Sequence, residues 1–275
     1  STVKTDKGEW LYYKGLAAGA AASDLLPGIV TLALNALPVP KRMRWGSSQV
    51  EFVRPVHWLV MLLGTDIVDC EILGVTAGRT TFGHRFHAPA ALSLEAPKLY
   101  VETLRARGHV IADFQERLRL IEADAEASAQ AIGGQAIIKP EVAEEVSALV
   151  EWPVPIVGRF ATRFLQLPPE VLISTLQDHQ RYFPVQDSAG LMPAFIAFSN
   201  LTSKDPDEIR RGNERVVLPR FSDAAFFWEQ DIAVPLNRRQ EQLKDVVYQK
   251  GLGTLYDKSQ RVGQLAALLG SYFAV

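Results

Sequence analysis

Cysteine is almost missing from this sequence: 275 residues contain one, Cys70, in the stretch DIVDCEIL. A single thiol excludes an internal disulfide and any zinc site built on two or more cysteines. It suits a reducing compartment, so a cytoplasmic protein is expected. Alternation with Ile67, Val68, Ile72 and Leu73 predicts an inert, buried strand position for Cys70. Long hydrophobic runs are missing as well. No segment reaches the ~18 apolar residues of a membrane span, and the N-terminus lacks the basic, apolar and small order of a secretory signal. Charge of one sign is not in excess: 29 Lys and Arg face 31 Asp and Glu, a net charge of −2. That excludes a global basic field, so any nucleic-acid surface must be a local patch. The motifs GxSxG, GxGxxG and GxxxxGK[ST] are absent, and with them the familiar nucleophile elbow and phosphate cradles. KGLGTLYDK holds Gly251 and Gly253 without the third glycine, and reads as a turn between helices. The only closely spaced histidines, His84 and His87 in GHRFHAP, have no carboxylate or cysteine beside them, so no metal site is expected.

What is present is the pattern of an α+β protein. Strands are expected at residues 8–16, along SQVEFVRPVHWLVMLLG around an edge-marking Pro55, and through DIVDCEILGVTAGRTTFGHRF. Helices are expected at 20–37, where Leu25, Leu26, Ile29, Leu32, Ala33 and Leu37 share a face, and at 96–107, 113–132 and 141–150. The strand PVPIVGRF follows, then a helix opened by LPPE and closed by Pro184, then a hairpin around DSAG. Beyond Asp205 the patterns become helical. A module boundary is expected within 200–235 and drawn at 200/201, separating a mixed or antiparallel sheet module with packed helices (1–200) from an all-helical segment (201–275). The chain does not begin with Met, and QLAALLGSYFAV ends it inside an apolar helical pattern. A piece of a longer polypeptide is the expectation.

The stretch STLQDHQRYFPV crowds Asp178, His179, Gln180 and Arg181 together. At about 100° per residue, Leu172, Thr175, Leu176 and His179 fall on one side of a helix, and Ser174, Gln177, Asp178 and Arg181 on the other. Asp178 and Arg181 are therefore expected to pair on a solvated face. His179 is expected to be a partly buried histidine with a possible pocket role, not a relay partner of Asp178. Basic residues interleaved with aromatics suit contacts to phosphates and unpaired bases. They occur in PKRMRWG (Arg42, Arg44), GRTTFGHRFH (Arg85), QRYF (Arg181) and RRGNERVVLPRF (Arg210, Arg211, Arg220), and these seven arginines are the RNA-contact candidates. Taken singly, each patch reads first as a solvated face. Residues 122–151 hold seven carboxylates against one lysine, Lys139, and should face away from RNA.

MRWG, FVRPVHWLV, GHRF, LVEWP, DHQRYFPV, GNERVVLPRFSDAAFFWEQD and LGTLYDKSQR occur in one order. Together, along essentially the whole chain, they resemble the beta subunit of the bacterial two-subunit glycyl-tRNA synthetase. The resemblance implies a ligase of alpha and beta chains, in which the alpha chain activates glycine with ATP and Mg and the longer beta chain serves tRNA recognition. It implies the alpha subunit and tRNA(Gly) as partners, no membrane or DNA, no cofactor on this piece and no catalytic residue within it. Residues 1–200 would resemble the editing region of the phenylalanyl enzyme's beta chain, and the helical tail the entry to a metal-hydrolase-like helical domain. Glycine is the smallest amino acid, so larger competitors are excluded sterically and editing is not needed. The expected role is a scaffold that positions RNA and contacts the other subunit. The alternatives are a purely structural protein-interaction module and a leftover aminoacyl-tRNA deacylase.

Overall fold

The computed structural model of the protein describes residues 2–11, 13, 15 and 18–273. It has mixed α and β structure in two compact units, Ser1–Arg117 and Leu118–Val275.

The first unit is built from short pieces. Thr2–Thr5 pairs antiparallel with Gly8–Leu11. The rest of the expected 8–16 strand includes Tyr12, Lys14 and Leu16, which lie outside the described residues. Helix α1, Ala22–Ala36, matches the expected helix. Its apolar face does not: Leu25, Ile29 and Leu32 are exposed, while Leu26, Val30 and Leu34, four residues apart, turn inward. Pro55 separates the two-residue strands Glu51–Phe52 and Leu59–Val60. Leu59–Val60 runs parallel to Val75–Gly78, which pairs antiparallel with Glu71–Ile72. Cys70 is half-buried just outside that last strand, its Sγ 3.7 Å from Met61 Sδ. A helical segment runs from Pro97 to Gly108, tightening first and then widening to a π-turn at Leu104–Gly108. His109 ends it in the left-handed conformation.

The second unit is a four-stranded antiparallel sheet with helices on both faces. Helices α2 (Phe114–Gln130) and α3 (Pro140–Leu149) flank strand β1 (Gln135–Ala136) in sequence. Strand β2 (Val154–Arg159) leads to helix α4 (Pro169–Ser174), and strands β3 (Phe183–Asp187) and β4 (Gly190–Ser199) form the expected hairpin. The sheet order is β1-β3-β4-β2. Side chains alternate across a strand, and β4 uses both faces. Ala194 and Ile196 pack with Ile121, Ala125 and Ala129 of α2 and Val142 and Val146 of α3. Phe195 and Ala197 pack with Leu172, Leu176, Val217 and Phe221.

Val217 and Phe221 belong to α5, Pro206–Ala233, which Asp205 caps by accepting the Glu208 N–H at 3.1 Å. Tyr182 holds α5 to the sheet: its ring stacks on Phe195 at 4.8 Å and its hydroxyl donates to Asn213 Oδ1 at 2.6 Å. The change from sheet to helix comes after Ser199, next to the expected boundary, whereas the compact units part at residues 117 and 118. The tail is not all-helical. Val247–Gln249 and Gly253–Thr254 form a small antiparallel hairpin before helix α6, Leu255–Phe273. Gly251 and Gly253 both stand at φ +82, so the glycines read as an interhelical turn supply the positive φ of a hairpin turn instead. No helix among the described residues is long and apolar enough to cross a membrane.

Candidate nucleic-acid interface

Arg42, Arg44 and Arg85 lie in the first unit, and Arg181, Arg210, Arg211 and Arg220 in the second. Two of the first three already have local work. Arg42 donates to the carbonyls of Leu34 and Asn35, each at 3.1 Å, and so satisfies open acceptors at the C-terminus of α1. Arg44 donates to Gln49 Oε1 at 2.8 Å and lies 3.5 Å from Glu51. Arg85 is exposed, in a turn beside a stack of histidines.

The geometry around Arg181 departs from the helical wheel. The helix does not continue as an α-helix beyond Ser174: Thr175–His179 is a π-turn. One extra residue per hydrogen-bonded ring rotates the side chains out of the 100° register. Gln177, expected on the solvated face, is buried, and its Nε2 donates to the Ile137 carbonyl at 2.8 Å. His179, expected to be partly buried, is exposed. Arg181 lies past the helix end at φ +60, in the left-handed region. Its guanidinium donates to the Asp178 carbonyl and pairs with Glu145 of α3. The expected ion pair with the Asp178 carboxylate is not formed. Asp178 instead takes Lys139 Nζ at 3.2 Å and the Ser174 hydroxyl at 3.0 Å, and these bonds hold its carboxyl below the usual range.

Arg210 and Arg211 are the candidates that the fold brings into one recess. They line it on α5 with Arg215, Glu214 and Leu218, opposite Arg159 and Phe160 at the end of β2. Glu214 is the organiser: its Oε1 accepts the Arg159 backbone N–H at 2.9 Å, and both its oxygens take Arg210 Nη1 at 3.0 Å. Arg210 also pairs with Asp207, and Arg211 with Glu208, at 3.1 and 3.0 Å. Among the described residues Arg159 and Arg215 have no carboxylate partner in this recess. Arg220 is exposed about half a turn round the helix from Arg211, outside the recess.

The model of the glycyl-tRNA synthetase beta subunit family matches residues 1–274. The chain belongs to that family. Its relatives in the family include the glycine–tRNA ligase beta subunit of Hahella chejuensis, 51% identical over 270 residues. Those residues are 98% of this chain and 39% of the relative. The beta subunit of Stutzerimonas stutzeri is 53% identical over 252 residues, 91% of this chain and 37% of that protein. A Pseudomonas aeruginosa beta subunit is 50% identical over 263 residues, with 95% and 38% covered. The chain thus spans about two fifths of the length of these glycyl-tRNA synthetase beta chains.

Three features of this beta-family chain were not foreseen from its motifs. Arg159 joins the basic recess from the end of β2, beside Arg215 of the basic stretch RRGNERVVLPRF. Tyr182 is a structural anchor, and burial raises its hydroxyl pKa. Third, His109 completes the pair in GHRFH. The rings of His84, His87 and His109 follow one another at 4.7 and 5.3 Å. The cause is a close backbone approach: the His84 N–H donates to the Gly108 carbonyl at 2.7 Å, and a Cβ on Gly83 would lie 2.4 Å from that oxygen.

Proposed function

We propose that this chain is part of the beta subunit of a glycine–tRNA ligase. In that enzyme it supports the ATP-dependent attachment of glycine to tRNA(Gly), through tRNA binding and subunit assembly in the cytoplasm. Glycine activation, with its ATP and Mg, belongs to the alpha chain, and this piece takes no cofactor of its own. The observation that carries the reading is the family match along residues 1–274. The recess of Arg159, Arg210, Arg211 and Arg215 supports it, because clustered guanidinium groups suit a phosphate backbone. We read the mixed portion as a module of the editing type retained as a scaffold, since a glycine site has no smaller competitor to correct.

The test is a crosslinking map of the full-length alpha–beta enzyme with its tRNA, together with charging assays. Crosslinks within residues 159–220, and weaker charging in an Arg210→Ala/Arg211→Ala double variant, are expected. A map without a single crosslink in this chain, with charging unchanged in the double variant, leaves a protein-interaction module as the better reading. Deacylation of misacylated tRNA(Gly) that persists when the alpha chain is inactivated would overturn the scaffold assignment.

A further inference from the structure

The basic recess ends at Leu218. Along the same side of α5, Ser222, Ala225 and Phe226 line a second recess with Trp228, against Phe164 and Gln166 of the segment that follows β2. Steps of four and three residues lead from Arg211 through Arg215, Leu218 and Ser222 to Ala225, and Phe226 lies four beyond Ser222, so these positions share one stripe. From Arg211 to Phe226 the stripe runs about 22 Å at 1.5 Å per residue, and Trp228 borders it about 60° round the helix from Ala225. Its two ends differ in chemistry. The first carries Arg159 and Arg215 without carboxylate partners among the described residues, and there Glu214 is occupied by Arg210 and by a backbone N–H. The second carries aromatic rings open to solvent, Phe226 57% exposed and Trp228 38%, beside one carboxylate, Glu229, that lines the same recess. Arg163 lines this second recess too, its guanidinium 4.9 Å from the centre of the Phe164 ring.

We infer that this side of α5 is a groove for a single-stranded segment of RNA, with backbone phosphates at Arg159 and Arg215 and base faces on Phe226 and Trp228. The inference rests on the tRNA-binding reading above and narrows it to one surface and one form of RNA. Charge complementarity selects a polyanion at the arginine end. Exposed rings select unstacked bases at the other, because the faces of paired bases inside a duplex are already stacked. A groove of arginines followed by aromatics is the combination that tracks a strand without reading its sequence.

The experiment uses the full-length beta chain assembled with its alpha partner. Fluorescence anisotropy follows binding of labelled tRNA(Gly), of a short unstructured oligoribonucleotide, and of that oligonucleotide annealed to its complement, across a salt series. Arg159→Ala and Arg215→Ala are each expected to lower the slope of log affinity against log salt by about 0.7 for the single strand. Phe226→Ala is expected to weaken the single strand about five-fold or more without changing that slope, Phe226→Tyr to restore it, and the duplex to be indifferent to both. Duplex binding as tight as single-strand binding, or slopes unchanged by either arginine variant, overturns the groove. So does a Phe226→Ala effect confined to assembly with the alpha chain, which would mark a protein contact. If wild type binds tRNA and only Arg220→Ala weakens it, the groove fails while the tRNA-binding reading stands. If wild type binds no tRNA at all, both fall.

Discussion

Gly158 carries a constraint that its neighbours in β2 do not. It faces Phe195 across the sheet, and a Cβ there would lie 2.2 Å from the phenylalanine ring. Gly158→Ala is therefore expected to cost about 1–3 kcal/mol through overpacking, seen as faster hydrogen exchange of the β2 and β4 amides in the full chain. A second residue-scale prediction concerns His87. Burial, and then the neighbouring His84 and His109, hold its pKa below the ordinary 6.5. The unfolded chain therefore binds the proton more readily, and this contribution to stability falls as pH drops below about 6.5. Protection factors across residues 84–109, exchange divided into its intrinsic rate at each pH, should fall between pH 7.5 and 5.5 in wild type, and less so in His87→Asn. These features differ in how far the sequence discloses them. GHRFH advertises two histidines, but His109 arrives only through the Gly83–Gly108 approach, a tertiary contact with no local signature. His179 and Gln177 were misplaced because a wheel at 100° per residue presumes an unbroken α-helix, and the π-turn at Thr175–His179 breaks that assumption.

At the scale of elements, helix ends explain several charged residues. Asp205→Ala removes the acceptor for the Glu208 N–H and should cost about 1 kcal/mol, fraying the first turn of α5. Because Arg210 follows that turn directly and pairs with Asp207 within it, tRNA affinity should fall with it. Comparing exchange at 206–210 with anisotropy on the same protein checks both. Arg42→Ala should loosen the last turn of α1 by freeing the Leu34 and Asn35 carbonyls; protection lost at 33–37, with tRNA affinity unchanged, is the expected result. Existence and type were legible for the long elements: α1, α2, α3, α5 and the β3–β4 hairpin follow their periodicities and caps. The inward face of α1 was not, since Leu25 and Leu26 are equally apolar and only packing decides between them. The small tail hairpin was hidden for a related reason. Two strands of two or three residues carry too little alternation to show beside a helix of 19.

For the whole molecule, ordered motifs disclosed the family, while the division into units did not follow the change in composition after Asn200. Helix-rich and sheet-rich stretches were easily told apart by pattern. Which helices share a core was not, because α5 packs on β2 and on residues of β4 that precede it in the chain. If the chain works as part of a tRNA ligase, binding should show the signature of phosphate contacts at this scale: affinity of the full enzyme falls steeply from low to physiological salt. A flat salt dependence would sit poorly with any of the arginine patches.

The ten residues of β4 separate two hydrophobic cores and contribute side chains to both. Neither core can then come apart alone without stripping one face of a strand that the other still needs. The second unit should lose its order around the sheet in one cooperative event, with lesions as distant as Ile121 and Phe221 reporting on the same transition.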